Sequence, residues 1–427
     1  MQQGIYDFIE SGTYLFGKEV NSHRALPLVN DGLKTVYRRI IYSALDYPKM
    51  TKTATVAGQV VGNLHPHGLD SVEKAVNNLV RLGVFDGQGQ FGCKMIDGDN
   101  IEAAASRYTE CKLSDKYRKL IEPLMPYVNK VEGELDGIYE PEYLPLPLPM
   151  AFMIGGIGLG VGCNCRIPFL DTQSLIEAFK SNDPSKLKAP YGMVLNHSNS
   201  ELKSLWETGL GAIEYQYNVG VEWIDGNELI VISADSAEVF KPNMSVFDKY
   251  INSGKMYTID LTDGNRVAVG IGRNARVDRH NFDECLELAK QISVNRKIYR
   301  LTVADLDGTS YIIPLKYWLQ ECYDNYIQLV DKMKADKLAK AQFNKSVFTF
   351  LPQVGKLITT NPDITDNEIL KSIDGLTESV LKVILTKSIS QLRKKDTTKE
   401  VAKYDEEIKK WTELDSKKYT EEVMSKL

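Results

Sequence analysis

The stretch Ala103-Ala-Ala-Ser-Arg-Tyr-Thr-Glu110 sets a phenol beside a guanidinium, behind three alanines small enough to let a backbone or a ligand come close. An arginine can grip a phosphate through two parallel hydrogen bonds while a tyrosine oxygen attacks it. Alone, the pair reads more readily as a packed tyrosine next to a surface cation. Its surroundings carry more weight. Upstream, in order, come Arg24-Ala-Leu-Pro27, Asp31-Gly-Leu-Lys34 followed by Arg38-Arg39, His65-Pro-His-Gly68, Asp86-Gly-Gln-Gly89 with Phe91-Gly92, and Ile96-Asp-Gly-Asp99. Downstream lie Glu140-Pro141, Leu144-Pro145 and a glycine-rich run from Gly155 to Gly162.

The chain has 427 residues, a formal net charge of −5, 43% hydrophobic and 26% charged residues, the composition of a globular protein of several domains. That charge argues weakly against nucleic acid. However, Arg24 to Lys52 holds six basic residues against two acidic ones, a local patch that could focus a phosphate backbone or be a solvated helix face. The six cysteines have no C-x-x-C spacing, so neither a zinc site nor a disulfide frame is expected. Scattered thiols and a start without a basic, then apolar, leader suggest a cytoplasmic location. Tyr143 to Cys165 carries no charge, but Pro145, Pro147 and Pro149 forbid a regular spanning helix. An extended strand and a glycine hairpin are expected there, and no membrane partner.

Val36, Ile40, Ile41 and Ala44 recur at helical spacing, with Arg38 and Arg39 read as the solvent side; Ser71 to Leu82 forms a second amphipathic helix. Further on, strand pairs are expected around Asp225-Gly226, Asp263-Gly264 and Asp307-Gly308. From Leu315 to Met333 a heptad seam begins, and Val401 to Trp411 resumes it. Between them Thr365-x-x-Glu368 and Thr397-x-x-Glu400 read as capping boxes. Gly12 to Lys18 has phosphate-loop spacing, but Glu19 stands where a magnesium-holding hydroxyl belongs. Asp97 and Asp99 read as turn residues. His65 and His67 share one side of an extended turn, but no third metal ligand lies nearby in sequence.

The ordered series closely resembles the breakage-reunion region of type IIA DNA topoisomerases, the family of gyrase A and topoisomerase IV A subunits; in size and layout it is similar to the medium subunits of T-even-type phage topoisomerases. The resemblance implies a mixed α/β multidomain fold: a winged-helix cleavage domain (1–171), a tower-like α+β domain (172–313), and an antiparallel coiled-coil arm (314–427) with a helical dimer-gate tip at about 344–385. It implies that Tyr108 attacks DNA to form a 5′-phosphotyrosyl link, with Arg107, Arg24 and His67 assisting. Lys34, Arg38, Arg39 and His65 would hold DNA, and Leu159 would wedge between base pairs rather than fill a core. Mg2+ and ATP are expected on a separate Toprim/ATPase partner, with no metal in this chain. Double-stranded DNA and a second copy of the chain, related by a two-fold axis, complete the expected partners. A catalytically silent DNA-binding architectural protein of the same fold, or a tyrosine recombinase, would be the alternatives.

Overall fold

The computed structural model describes residues 4–92, 102–188, 194–195, 200–234, 242–261, 267–274, 276, 278–392 and 396–427. Asp97, Asp99, Cys93 and the turn at Asp263-Gly264 lie outside the described residues. The chain divides into two compact units, residues 1–326 with 422–427, and residues 327–421.

The first unit opens with helix Ile5–Val20, which runs through the Gly12 to Lys18 spacing without forming a loop. It ends in a π-helical turn, Asn21–Ala25. Widened turns of this kind are frequent at functional sites because they re-aim a side chain; here they set out Arg24. Helices Thr35–Ala44, Thr53–Asn63 and Leu69–Arg81 then pack together. Val72, Val76 and Leu79 form the expected inner stripe and are fully buried. Helix Thr53–Asn63 has no clean apolar period, and the sequence reading missed it. Beside these helices lies a three-stranded antiparallel sheet in which Glu110–Leu113 sits between Thr51–Lys52 and Phe85–Gln88.

Residues 142–150 are not the expected strand. Leu144, Leu146 and Leu148 are buried, but the alternating prolines supply no donors for a ladder. The glycine-rich run does form a hairpin, Gly156–Leu159 with Asn164–Ile167. Strand Asn164–Ile167 also pairs with Val294–Arg300, which pairs with Leu210–Gln216, so one five-stranded sheet joins segments on both sides of residue 171. A single apolar core likewise runs from Leu26 and Phe152 through Trp206, Tyr215 and Ile230 to Trp318. A second, four-stranded sheet contains the Asp225-Gly226 hairpin, whose φ values of 51° and 76° suit a primed turn.

In the second unit, the part of helix Leu315–Thr360 beyond residue 326 and helix Thr398–Glu413 run antiparallel: Lys345 pairs with Asp405 at 2.6 Å, and Lys334 donates to the Leu414 carbonyl at 2.6 Å. The small helices between them share a core of Val354, Ile369, Leu381 and Ile384. Thr365 and Glu368 form the expected capping box. The second box fails: the Thr397 hydroxyl donates instead to the Phe348 carbonyl at 2.7 Å, tying the returning chain to the long helix. Among the described residues, no helix is long and apolar enough to cross a membrane.

Candidate active site and nucleic-acid interface

Strand Glu110–Leu113 is central in its sheet, and the residues just before it are pinned from several directions. The Thr109 side chain is buried and donates to the Thr53 hydroxyl at 2.8 Å. The Thr53 and Ala54 amides donate to the carbonyls of Thr109 and Ser106. Gly89, at φ 113°, comes so close that a β-carbon there would touch the Thr109 methyl. With Thr109 held inward, the turn 106–108 projects its side chains outward, and Tyr108 is 66% exposed. Among the described residues its hydroxyl has no hydrogen-bond partner. The Arg107 guanidinium lies 4.6 Å from the Tyr108 ring centre and has no carboxylate partner among those residues. A phenol and a guanidinium thus stand together on a pinned turn, both exposed.

A groove elsewhere in the same unit is lined by Arg24, Lys34, Lys74 and Arg81, with Tyr37, Ser71, Gly156 and Ile157, and, among the described residues, by no carboxylate. Four cations without an acid suit a polyanion. The Lys74 ammonium bonds Asp70 at 2.7 Å, and Arg81 bonds the Phe91 carbonyl at 3.3 Å. The Lys34 ammonium donates to the Ile157 carbonyl at 2.9 Å. Its burial lowers its pKa, an effect that nearby Cys165 partly opposes.

Arg38 and Arg39 correct the sequence reading. Both turn inward, because two carboxylates in the interior claim them. Arg38 makes a two-pronged pair with Asp31, at 2.7 and 3.1 Å, and donates to the Leu33 carbonyl. Asp31 also accepts from the Leu33 and Leu144 amides, so it clamps the Asp-Gly-Leu turn to the proline-rich segment. Arg39, its side chain 1% exposed, pairs with both oxygens of Glu140 at 2.7 and 2.6 Å. Neither guanidinium is free for a DNA phosphate.

His65 is buried as well, which corrects its expected role as a DNA contact. Its Nδ1 lies 2.8 Å from Arg39 Nη1, and an arginine only donates, so Nδ1 accepts and the ring is neutral. Burial, then the charges of Arg39 and His67, push this imidazole down to about 4. His67 keeps about a third of its side chain exposed, with its Nε2 3.3 Å from Glu134 Oε2. Glu134 is therefore the third potential ligand that the local sequence did not offer: ligand atoms of His65, His67 and Glu134 lie within 4.8 Å of one another. The trio does not fit a metal ion, because the Arg39 guanidinium already donates to both His65 and Glu134 and supplies the cation.

Leu159 is 78% exposed and Ile157 is 52% exposed, both on one face of the hairpin. A buried-core role for Leu159 is excluded. Of the two exposed tip residues, Ile157 and not Leu159 borders the cationic groove. The glycines that flank Leu159 serve close packing. Neither Gly158 nor Gly160 has a positive φ; a β-carbon at Gly158 would collide with the Ala25 carbonyl, and one at Gly160 with the Asn21 side chain. They let the hairpin lie on the π-helical turn. Asn21 locks it there, accepting from the Val161 amide at 2.8 Å and donating to its carbonyl at 3.1 Å.

Comparison with known proteins agrees with this geometry. Residues 24–427 match the family of DNA gyrase/topoisomerase IV A subunits. The chain belongs to that family. The DNA gyrase A subunit of Leptospira biflexa is 28% identical over 403 residues, covering 87% of this chain and 46% of that protein. The DNA gyrase A subunit of Staphylococcus aureus strain NCTC 8325 is 28% identical over 456 residues, covering 95% and 49%. The chain thus spans about half the length of these gyrase A relatives. Glu134, Ile157, Asn21 and Arg81 escaped the sequence reading. Their roles come from partners up to 140 residues away, and no local spacing announces them.

Proposed function

We propose that this chain is the DNA-cleaving and DNA-rejoining subunit of an ATP-dependent type II DNA topoisomerase. The observation that carries the reading is the exposed Tyr108 beside the Arg107 guanidinium, neither with a hydrogen-bond or carboxylate partner among the described residues, in a chain of the gyrase A family. In this reaction the Tyr108 oxygen bonds to a backbone phosphorus while the bond from phosphorus to O3′ breaks. The phenol gives up its proton, the departing oxygen takes one up, and a free 3′-hydroxyl remains. The phosphotyrosyl link keeps the energy of the bond it replaces, so attack by the 3′-hydroxyl reseals the strand without nucleotide hydrolysis. Arg107 stabilises charge on the phosphate, and Arg24 and His67 add cationic donors. Lys34, Lys74 and Arg81 hold flanking phosphates, and the tip Ile157–Leu159 wedges the duplex.

The three helices and small antiparallel sheet support a winged-helix cleavage domain, and the antiparallel helices of the second unit support a coiled-coil arm with a helical tip. Cleaving both strands needs two tyrosines, hence a two-fold dimer. Mg2+ and ATP belong to a Toprim/ATPase partner. Tyr108→Phe, assayed with such a partner, is expected to bind DNA normally and to form no protein–DNA adduct. Persistent cleavage would overturn the assignment. Normal binding without any adduct from the unaltered protein would favour a silent architectural role.

A further inference from the structure

Glu134 lies in the loop between the ribbon strands Lys130–Glu132 and Tyr139–Pro141. The Gly133 amide donates to the Ile138 carbonyl, and the Gly137 amide to Glu132, so the loop is closed on itself. One oxygen of Glu134 accepts from Arg39 at 2.7 Å, and the other lies 3.3 Å from His67 Nε2. Arg39 is held independently by Glu140. His67 is fixed from behind too: its amide donates to the His65 carbonyl, and the two rings meet edge to face at 4.4 Å. Two histidines two residues apart therefore stand in opposite electrostatic settings. His65 faces a guanidinium, whereas His67 faces a carboxylate.

We infer that Glu134 is the positioning residue for His67, its second carboxylate oxygen facing Nε2 at 3.3 Å and holding the ring so that it can meet a DNA phosphate. The inference takes its ligand from the cleavage reading above; the Glu134–His67 pairing stands on geometry alone. A carboxylate that accepts from one imidazole nitrogen selects the tautomer and favours the charged ring. Glu134 is suited to this because it stays ionised. Burial opposes its ionisation, but the Arg39 hydrogen bond and charge, with His67 behind them, outweigh it and hold the carboxyl below its usual range. The charged or titratable groups around His67 are Glu134 on the ribbon loop, His65 on the same turn, Arg39 on helix Thr35–Ala44 with Glu140 behind it, and Arg24 on the π-helical turn beyond His65. Among the described residues Glu134 is the one acid that pairs with His67, so its removal should act on His67 directly.

The test is the titration of His67 in the full-length protein labelled at histidine Cε1, with His67→Ala to assign the signal. Glu134→Gln keeps the side chain's shape and an oxygen for Arg39, and it should lower the His67 midpoint by about one pH unit. Glu134→Asp retains the charge and should restore at least part of the shift. The pH dependence of binding to a plain duplex should move with it: the tightening seen as the pH falls through the His67 midpoint should begin about one unit lower in Glu134→Gln. A His67 midpoint unchanged in Glu134→Gln overturns the inference. So does a fall of equal size in Glu134→Asp, which would make the effect one of packing. If Glu134→Gln does not fold, Glu134→Ala takes its place, with the same fall in the His67 midpoint expected and an unchanged midpoint overturning the inference. Adduct formation by Tyr108 is read separately, so either conclusion can fall without the other.

Discussion

Arg39 donates four hydrogen bonds from the interior, two to Glu140 and one each to Glu134 and His65. Removing one partner of such a buried pair leaves an uncompensated charge, and Arg39→Ala should cost about 3–5 kcal/mol of stability. Denaturant unfolding would show it. A variant that unfolds like the unaltered protein but binds DNA with a flatter salt dependence would return Arg39 to the DNA surface. His65 adds a pH dependence of known sign. Its pKa is depressed to about 4 in the folded chain, against about 6.5 when unfolded. Below about 6.5 the unfolded state therefore binds the extra proton, so this contribution to stability is present at neutral pH and lost as the pH falls toward 4. His65→Gln, which keeps an acceptor for Arg39, should flatten the stability profile in that window. An unchanged slope would mean that the ring is not held neutral. Charge counting read Arg38 and Arg39 as a basic surface because it could not see Asp31 and Glu140 opposite them.

At the scale of elements, the glycine hairpin shows how exposure separates a wedge from a core. Ile157→Ala and Leu159→Ala should each change stability by no more than about 0.5 kcal/mol, as exposed substitutions do. A buried leucine would lose about 2–5 kcal/mol. Both variants should reduce duplex bending and cleavage together, Ile157→Ala more, because Ile157 borders the cationic groove and its carbonyl is held by Lys34. Thermal unfolding and fluorescence-transfer bend angles on the same samples would check this; normal bending in both variants would remove the wedge. The hairpin and its glycines are visible in the sequence. Its docking on Asn21 is not, because that contact joins segments 140 residues apart.

At the scale of the whole chain, the long helix Leu315–Thr360 begins inside the core of the first unit. Trp318 is fully buried and donates to the Val29 carbonyl at 2.8 Å, with Leu319 and Cys322 buried beside it. Cutting the chain near Pro314 would strip that core. A cleaner separation replaces residues 327–421 with a short flexible linker and keeps 422–427, which belong to the first unit. The remaining unit should fold and, if the arm and tip supply the main dimer contact, should be mainly monomeric at low concentration. A tight dimer by light scattering would put the principal interface in the first unit.

Local patterns were sufficient for everything that depends on neighbours in sequence. These include the helices around Val36 to Ala44 and Ser71 to Leu82, the Asp225-Gly226 and Asp307-Gly308 hairpins and the Thr365 capping box. Family membership, too, was legible in the order of short motifs. Tertiary structure alone decided which charges face water. Arg38, Arg39 and His65 are buried because Asp31, Glu134 and Glu140 reach them from distant segments, and a charge leaves water only where such partners converge. The failed Thr397 box has the same kind of cause, a long-range hydrogen bond that outcompeted a local preference; the missing strand at 142–150 is instead local, since its prolines supply no ladder donors.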